Sequence, residues 1–277
     1  MRGSTSVSGP SEPTSNGRMG RGGGAEAPLD EAAVTGGPPR FELGSWRDEL
    51  GLVAGITGRG EEPGGGFDLG LWSEAPVGEV MSRWRLFRRS FAGFSAVVLG
   101  NQIHGTEVMS VGPSRGWVQT EGIDGLVTTA PGVLLTVTVA DCIPVYLAVA
   151  GKGIGLLHAG WRGTAGGILS RCLERLLAAT SSTPGKVVMH CGVGICGSCY
   201  EVGSEVMSGC GLPSDGPGPW HLDLRHRLAE QGAQLGVRRV TLSSRCSAHD
   251  RPTFYSHRAS KGSDGRMAAY LGIPLSP

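Results

Sequence analysis

The most apolar stretch of the chain, residues 132–150, constrains the fold more than any other segment. Asp141 and Pro144 lie near its middle. A charged side chain at that depth is costly in lipid, so the stretch is expected to be buried in a protein core and not to span a membrane. We therefore interpret it as short core strands.

Alternation and turn residues divide this region into elements. Val133–Val139 reads VLLTVTV, which suits a half-buried strand, and two further strands, Val145–Val149 and Ile154–Leu157, flank a Gly-Lys-Gly turn. Apolar residues then recur at helical spacing from Ile168 to Leu177. The pattern predicts a hairpin followed by an amphipathic helix.

Similar signals extend the prediction to both sides of this region. The further strands are Val53–Thr57, Ala96–Leu99, Val187–His190 and Arg239–Leu242, and the further helices are Val80–Ser90 and Leu222–Leu235. This order of elements favours an α/β (α+β) fold with some hairpin pairing.

Composition separates the N-terminal segment from the rest. Residues 1–40 contain nine Gly, five Pro and five Ser, and such a segment buries too little apolar surface to offset its ordering entropy. We expect a disordered tail at 1–40 and one folded domain at 41–277.

Charge and cysteine usage exclude several classes of protein. Lys plus Arg is 25 and Asp plus Glu is 24, so the chain has no electrostatic footprint for nucleic acid or an acidic membrane. Seven cysteines cannot all be paired in disulfides within the chain. The first 40 residues contain no apolar segment of the kind found in a secretory signal peptide. Reduced thiols and a cytoplasmic location are expected.

Three short motifs each place a metal-capable side chain at a strand end beside Gly or Pro. They are NQIHG at 101–105, ADCIP at 140–144 and HAGWRG at 158–163. His104, Cys142 and His158 would form an N, S, N ligand set that suits Zn²⁺ and leaves a fourth position open, as in catalytic sites. A bend at Pro144 would be needed to bring Cys142 to His158.

Two of these residues also suit a reaction without a metal. Cys142 as nucleophile and His158 as base would form a hydrolase pair, which Asp141 could orient. That alternative leaves His104 without a role.

Arginine and glycine residues near these motifs are candidates for binding phosphate. The turn containing Arg162 and Gly163 precedes a helix, whose first N–H groups attract anions. Arg59, Arg258 and Arg266 lie in loops rich in Gly or Ser, where each could bind phosphate or remain a solvated surface charge.

Two other metal chemistries are less consistent with the sequence. Cys191, Cys196 and Cys199 have the C-x4-C-x2-C spacing of plant-type ferredoxins, but incidental thiols explain it as well. The blue multicopper oxidases need about ten histidines, several in His-x-His pairs. This chain has seven histidines and no such pair.

Together the motifs identify a family. NQIHGTEV, DGLVTT, VADCIPVYLA, HAGWRGTAGGIL, YEVGSEV, CSAHDRPTFYSHR and GRMAAYLGI occur in this order. Over about residues 53–273 the chain resembles the YfiH family, also called the laccase-domain, DUF152 or peptidoglycan editing factor family. The resemblance implies a single-domain α/β/β/α layered sandwich with mixed sheets.

The resemblance also implies a site and an activity. Its metal ligands correspond to His104, Cys142 and His158, with Zn²⁺ as the expected ion and Cu²⁺ as a possible one. We expect these three residues and Asp141, the carboxylate nearest to a ligand in the sequence, to be catalytic, and Arg59, Arg162, Gly163 and Arg258 to bind phosphate.

The implied enzyme is a purine nucleoside phosphorylase that acts on adenosine, inosine and methylthioadenosine and also deaminates adenosine. Its partners would be nucleosides and phosphate, with no nucleic acid or membrane, and it would be a monomer or homodimer. The alternatives are a Cys–His amidase that edits peptidoglycan precursors and a copper-dependent polyphenol oxidase.

Overall fold

The structure, a computed structural model, describes residues 28–60 and 66–275. The strands in these residues are β1 (Ala32–Ala33), β2 (Arg40–Glu42), β3 (Val53–Thr57), β4 (Ala96–Asn101), β5 (Val108–Ser110), β6 (Gly116–Glu121), β7 (Gly125–Thr128), β8 (Val133–Val139), β9 (Ile143–Val149), β10 (Gly153–Ala159), β11 (Val187–Cys191), β12 (Glu201–Val202), β13 (Trp220–His221), β14 (Arg239–Leu242) and β15 (Met267–Gly272). The helices are α1 (Gly44–Leu50), α2 (Val77–Arg89), α3 (Trp161–Ala165), α4 (Ile168–Thr180), α5 (Ser204–Gly209) and α6 (Leu224–Gln234).

Two mixed sheets contain most of the strands. The first has the order β1-β2-β3-β15-β8-β4-β6 and the second the order β14-β11-β9-β10-β7-β5, with β12 and β13 forming a separate pair. Both sheets combine parallel and antiparallel neighbours: β8 is parallel to β4 and antiparallel to β15, and β11 is parallel to β14 and antiparallel to β9.

Alternating side chains assign the two sheets to inner layers. In β8, Leu135, Val137 and Val139 belong to a core between the sheets, whereas Leu134 packs in a core with Trp84 of α2. The second sheet buries its other face against α4 and α6. The layered α/β/β/α arrangement with mixed sheets is therefore confirmed.

One buried hydrogen bond joins the two sheets directly. The Tyr146 hydroxyl in β9 donates to the carbonyl oxygen of Gly55 in β3 over 2.8 Å. A Cβ at Gly55 would lie 2.3 Å from the carbonyl oxygen of Phe41, so the backbones approach here in a way that glycine permits. This bond fixes a point of contact in an interface whose side chains are mostly apolar.

The predicted elements agree with the structure, with bounds that shift by at most three residues. Val53–Thr57, Val133–Val139 and Arg239–Leu242 have the bounds expected. Helix α2 starts three residues before its predicted start, directly after Pro76, whose backbone is not helical. None of the helices in the described part of the chain is long and apolar enough to cross a membrane.

The prediction of a disordered segment at 1–40 needs correction over residues 28–40. Glu31 is 2% exposed, accepts a hydrogen bond from Ser243 Oγ at 2.8 Å and lies 3.3 Å from His190 Nε2. Asp30 accepts hydrogen bonds from the backbone N–H and the hydroxyl of Ser244. Polar contacts order this stretch, which composition alone does not reveal. Residues 1–27 lie outside the described residues.

Candidate functional site

The candidate ligands lie where the chain passes from the first sheet to the second. Three such connections, β4 to β5, β6 to β7 and β8 to β9, contain His104, Asp124 and Cys142 respectively. His158 is on β10, which pairs with β9. Neighbouring connections at one end of two packed sheets bring residues distant in sequence to one place.

His104, Cys142 and His158 converge at this end of the sheets. Their ligand atoms all lie within 4.8 Å of one another. The two imidazole rings meet edge to face, with centroids 4.8 Å apart and planes at 78°. A Cβ at Gly160 would lie 3.0 Å from Cys142 Sγ, so a residue without a side chain keeps this space open.

The expected bend at Pro144 is not what joins Cys142 to His158. Strand β9 continues through Pro144, which lies opposite His158 in the ladder with β10. The turn comes earlier, at Asp141, whose φ of 83° is in the left-handed region. Such a conformation is costly for a residue other than glycine and is often found at functional sites.

Asp124 holds two of the ligands in place. Its carboxylate accepts backbone N–H bonds from Ile103, His104 and Gly105, at 3.1, 3.0 and 2.8 Å. It also lies 2.8 Å from Nδ1 of His158 and is fully buried. One carboxylate thus fixes the loop in which His104 has a left-handed backbone conformation, with a φ of 60°. The same carboxylate directs Nε2 of His158 towards Cys142.

The electrostatic environment of this cluster favours the charged forms of Cys142 and His158. Burial would raise the pKa of the Cys142 thiol, but the positive charge of His158 and a hydrogen bond from His104 outweigh it and lower the pKa to about 6. Burial would lower the pKa of His158, but the Cys142 thiolate and Asp124 raise it to about 9. The pair is therefore a thiolate beside an imidazolium.

Asp124 is also kept ionised. Burial would raise the pKa of its carboxyl, but the hydrogen bonds from His158 and from the Gly105 N–H hold it below its usual value.

Asp141, by contrast, directs its oxygens away from the ligands. Oδ1 accepts from the Ser247 hydroxyl and Oδ2 from the backbone N–H of Arg258, each at 2.6 Å.

The three ligands open into a cavity of about 660 Å³. This volume is within the usual range for small-molecule sites. Its lining includes Arg162, Arg258 and Arg266, and no described carboxylate is in ion-pair distance of their guanidinium groups. Aromatic surface comes from Tyr200 and from Trp72, which is 65% exposed. The cavity therefore combines a ligand cluster, positive charge and aromatic faces.

Two of the predicted phosphate-binding residues lie elsewhere. Arg59 is paired with Asp264 at 3.2 Å and stacks over Tyr255, and it does not line the cavity. Gly163 is buried within α3, where a Cβ would lie 3.0 Å from the carbonyl oxygen of Gly105. The structure does bring Arg162 and Arg258 to the cavity.

Some residues of the site were not singled out from the sequence. Asp124 obeys the rule that identified the ligands, since it is a polar residue beside Gly125 at the start of a strand. Trp72 and Tyr200 carry no such local signal, because their part in the cavity depends on long-range packing. Arg266 is one of several loop arginines in the sequence, and its neighbours do not distinguish it from the others.

The chain is similar in sequence to known proteins over most of its length. A family model described as multi-copper polyphenol oxidoreductase laccase matches residues 54–274. A purine nucleoside phosphorylase of Deinococcus radiodurans is 38% identical over 225 residues, covering 76% of this chain and 84% of that protein. The purine nucleoside phosphorylase YlmD of Geobacillus stearothermophilus is 32% identical over 247 residues, covering 80% and 90%.

Solved structures are similar over most of the chain. The crystal structure of YlmD from Geobacillus stearothermophilus has a TM-score of 0.77 at 28% identity and covers 90% of this chain and 100% of that one. A DUF152 protein of Neisseria meningitidis has a TM-score of 0.69 at 26% identity, covering 80% and 94%. The chain therefore belongs to the multi-copper polyphenol oxidoreductase laccase family, the YfiH or DUF152 family that its motifs indicated.

Proposed function

We propose that this chain is a zinc-dependent purine nucleoside phosphorylase that acts on adenosine, inosine and methylthioadenosine. The observation that carries the proposal is the shared cavity. His104, Cys142 and His158 open into the same space as three arginines that have no described carboxylate partner. Relatives that cover most of this chain are named purine nucleoside phosphorylases.

The residues present fit a zinc ion. One thiolate sulfur and two imidazole nitrogens suit Zn²⁺, and the bond between His158 Nδ1 and Asp124 leaves Nε2 free to bind. When bound, zinc would supply a Lewis acid that polarises the substrate. The family description names copper chemistry, so the identity of the ion is part of the test.

The arginines supply the phosphate site in this proposal. Arg162, Arg258 and Arg266 present planar guanidinium groups, which bind phosphate through paired hydrogen bonds. Held beside the ribose, phosphate oxygen forms a bond to C1′ while the C1′–N9 bond breaks and the purine takes up a proton. Positioning the two reactants together lowers the entropic part of the barrier.

The other cavity residues have supporting roles. Trp72 and Tyr200 offer aromatic faces on which a purine base would stack. Both oxygens of Asp141 are already hydrogen-bonded, so we assign it a positioning role: it holds the backbone of Arg258 at the cavity wall.

Adenosine deamination is proposed as a side activity. Zinc deaminases use a Glu for proton transfer. Among the described residues that line this cavity the sole carboxylate is Asp141, whose oxygens are occupied. The site therefore suits phosphorolysis better than deamination.

The experiment compares the wild type with Cys142→Ala and with Cys172→Ala, a control that removes a thiol buried in α4. Metal content and adenosine turnover are measured with and without phosphate. We expect Cys142→Ala to lose about one zinc per chain and to slow phosphate-dependent release of adenine and ribose 1-phosphate by roughly 10³-fold. Adenine release that does not need phosphate would contradict the proposal.

A second candidate is supported by one observation. Cys142, His158 and Asp124 lie in the order of a nucleophile, a base and an orienting carboxylate, as in Cys–His hydrolases. Such an enzyme would act as an amidase on a peptidoglycan precursor. Activity of metal-free protein that thiol alkylation abolishes would favour this candidate, because a thiolate bound to zinc cannot attack a carbonyl.

A further inference from the structure

We propose that Cys196, Cys199, Cys246 and His249 form a second zinc site, structural in type. The ligand atoms of these four residues all lie within 4.8 Å of one another. None of the four lines the cavity of the first cluster. The second site is independent of the proposed phosphorylase activity.

The ligands come in two pairs of equal spacing. Cys196 and Cys199 are separated by Gly-Ser, and Cys246 and His249 by Ser-Ala. Both pairs lie in tight turns: the Cys199 N–H donates to the Cys196 carbonyl oxygen at 3.1 Å, and the Asp250 N–H to that of Cys246 at 2.8 Å. Two ligands separated by two residues in a turn are typical of structural zinc sites.

The cluster differs from the C-x4-C-x2-C group considered from the sequence. Cys191 is fully buried in β11 and is not part of it. The fourth ligand is a histidine, and it comes from the same loop as Cys246. An iron–sulfur centre prefers four cysteines, whereas three cysteines and one histidine are a common zinc ligand set.

Backbone hydrogen bonds hold the two ligand loops together without a metal. Gly194 and Cys246 form a parallel bridge, and the Ser247 N–H donates to the Gly194 carbonyl oxygen at 3.0 Å. The Cys196 N–H donates to the sulfur of Cys246 at 3.3 Å, a contact that stabilises a thiolate. The site is thus largely preformed, which reduces the cost of ordering it on metal binding.

Two separations between ligand atoms are close to those around a tetrahedral ion. With Zn–S bonds of about 2.3 Å and Zn–N bonds of about 2.0 Å, a tetrahedron separates two sulfurs by about 3.8 Å and a sulfur from a nitrogen by about 3.5 Å. His249 Nδ1 is 3.6 Å from Cys196 Sγ, and Nε2 is 3.2 Å from Cys199 Sγ. His249 is exposed, so a rotation of its ring directs one nitrogen to the ion.

Four protein ligands would complete the coordination of the ion and leave no position for substrate. The residues next to these ligands contact the wall of the cavity. Tyr200, next to Cys199, lines the cavity, and the Ser247 hydroxyl donates to Asp141. An ion bound here would fasten two loops that support one wall of the cavity. A disulfide between Cys196 and Cys199 would leave Cys246 and His249 without a role.

The test counts metal ions in the full-length chain, purified with reductant and without chelator. We expect about two zinc ions per chain in the wild type, and about one in Cys142→Ala, in Cys199→Ser and in His249→Ala. Cys172→Ala is the control and should retain both ions. His249 is exposed, so its replacement should lower zinc content without preventing folding.

A spectroscopic measurement isolates the second site. Metal-free Cys142→Ala is titrated with Co²⁺, and tetrahedral thiolate coordination is expected to give strong visible and near-ultraviolet bands. The bands should disappear in the Cys142→Ala, Cys196→Ala, Cys199→Ala triple variant. One zinc per wild-type chain that Cys142→Ala removes entirely would overturn the proposal. So would a Cys196–Cys199 disulfide in the reduced preparation.

Discussion

The two Cys and His clusters of this chain differ in ligand number and in the elements that supply the ligands. His104, Cys142 and His158 come from sheet connections and a strand end far apart in the sequence, and they open into a cavity. Cys196, Cys199, Cys246 and His249 come from two adjoining turns. Three ligands facing a cavity leave a coordination position for substrate, whereas four ligands on loops leave none.

The largest contrast is expected in thiol reactivity after metal removal. The pKa of Cys142 is about 6, whereas burial raises the pKa of Cys172 well above its usual value. The thiolate is the reactive form, so at pH 7 Cys142 should be alkylated by iodoacetamide at least roughly 10³-fold faster than Cys172. Mass spectrometry of timed samples measures both rates.

The rate of Cys142 alkylation should change with pH in a defined direction. A thiol with a lowered pKa is mostly thiolate above that pKa, so the alkylation rate of Cys142 should be level above about pH 7 and fall as the pH drops through 6. A rate that keeps rising up to pH 9 would contradict the thiolate–imidazolium pair. Zinc added back should protect Cys142.

The next contrast compares one histidine from each cluster. His104→Ala removes a ligand that faces the cavity, so kcat/KM for phosphorolysis should fall by roughly 10²- to 10³-fold. His249→Ala should lower the thermal midpoint by several degrees and reduce kcat/KM by less than about threefold, because its ligand set supports structure. Equal losses of activity in both variants would remove the distinction between the clusters.

A smaller effect is expected from the carboxylate that orients the first cluster. Asp124→Asn keeps the size of the side chain but loses the charge that His158 and the loop N–H groups contact. Zinc affinity, measured by competition with a chromogenic chelator, should fall by roughly 10- to 100-fold. Asp141→Asn is the control: its oxygens contact Ser247 and Arg258, so zinc affinity should not change.

The smallest effect concerns phosphate. Arg162→Ala and Arg258→Ala should each raise KM for phosphate by about tenfold, the expected cost of a charge-assisted hydrogen bond, with little change in KM for adenosine. Arg59→Ala is the matched control, since Arg59 pairs with Asp264 outside the cavity. Initial rates at varied phosphate decide the question, and a larger effect at Arg59 than at Arg162 would contradict this placement.

The sequence predicts the elements around the first cluster because their signals are local. The alternation of Val133–Val139 and the Gly-Lys-Gly turn determine a strand and a hairpin without reference to the rest of the chain. The contacts of Glu31 with Ser243 and His190 cannot be predicted in this way, since they join residues more than 150 positions apart.

The same reasoning explains what could be predicted of the site. The ligands His104, Cys142 and His158 are each marked by adjacent Gly or Pro, and the resemblance to a family groups them. The spacing of Cys196 and Cys199 and that of Cys246 and His249 are visible in the sequence, but the meeting of the two pairs depends on how two loops cross. The cavity walls depend on packing in the same way.

The bond between Tyr146 and Gly55 has a mechanical consequence for the first cluster. Apolar packing between two sheets resists separation, and its interdigitating side chains hinder sliding, but it contains no directional bond. His104 follows a strand of one sheet, and His158 lies on a strand of the other. A shear displacement of 1 Å, on the order of what alters a catalytic geometry, would therefore change the distance between these ligands while each sheet kept its own shape. The Tyr146 hydroxyl opposes such a displacement with one directional bond between the sheets, and the Asp124 carboxylate opposes it at the ligands themselves.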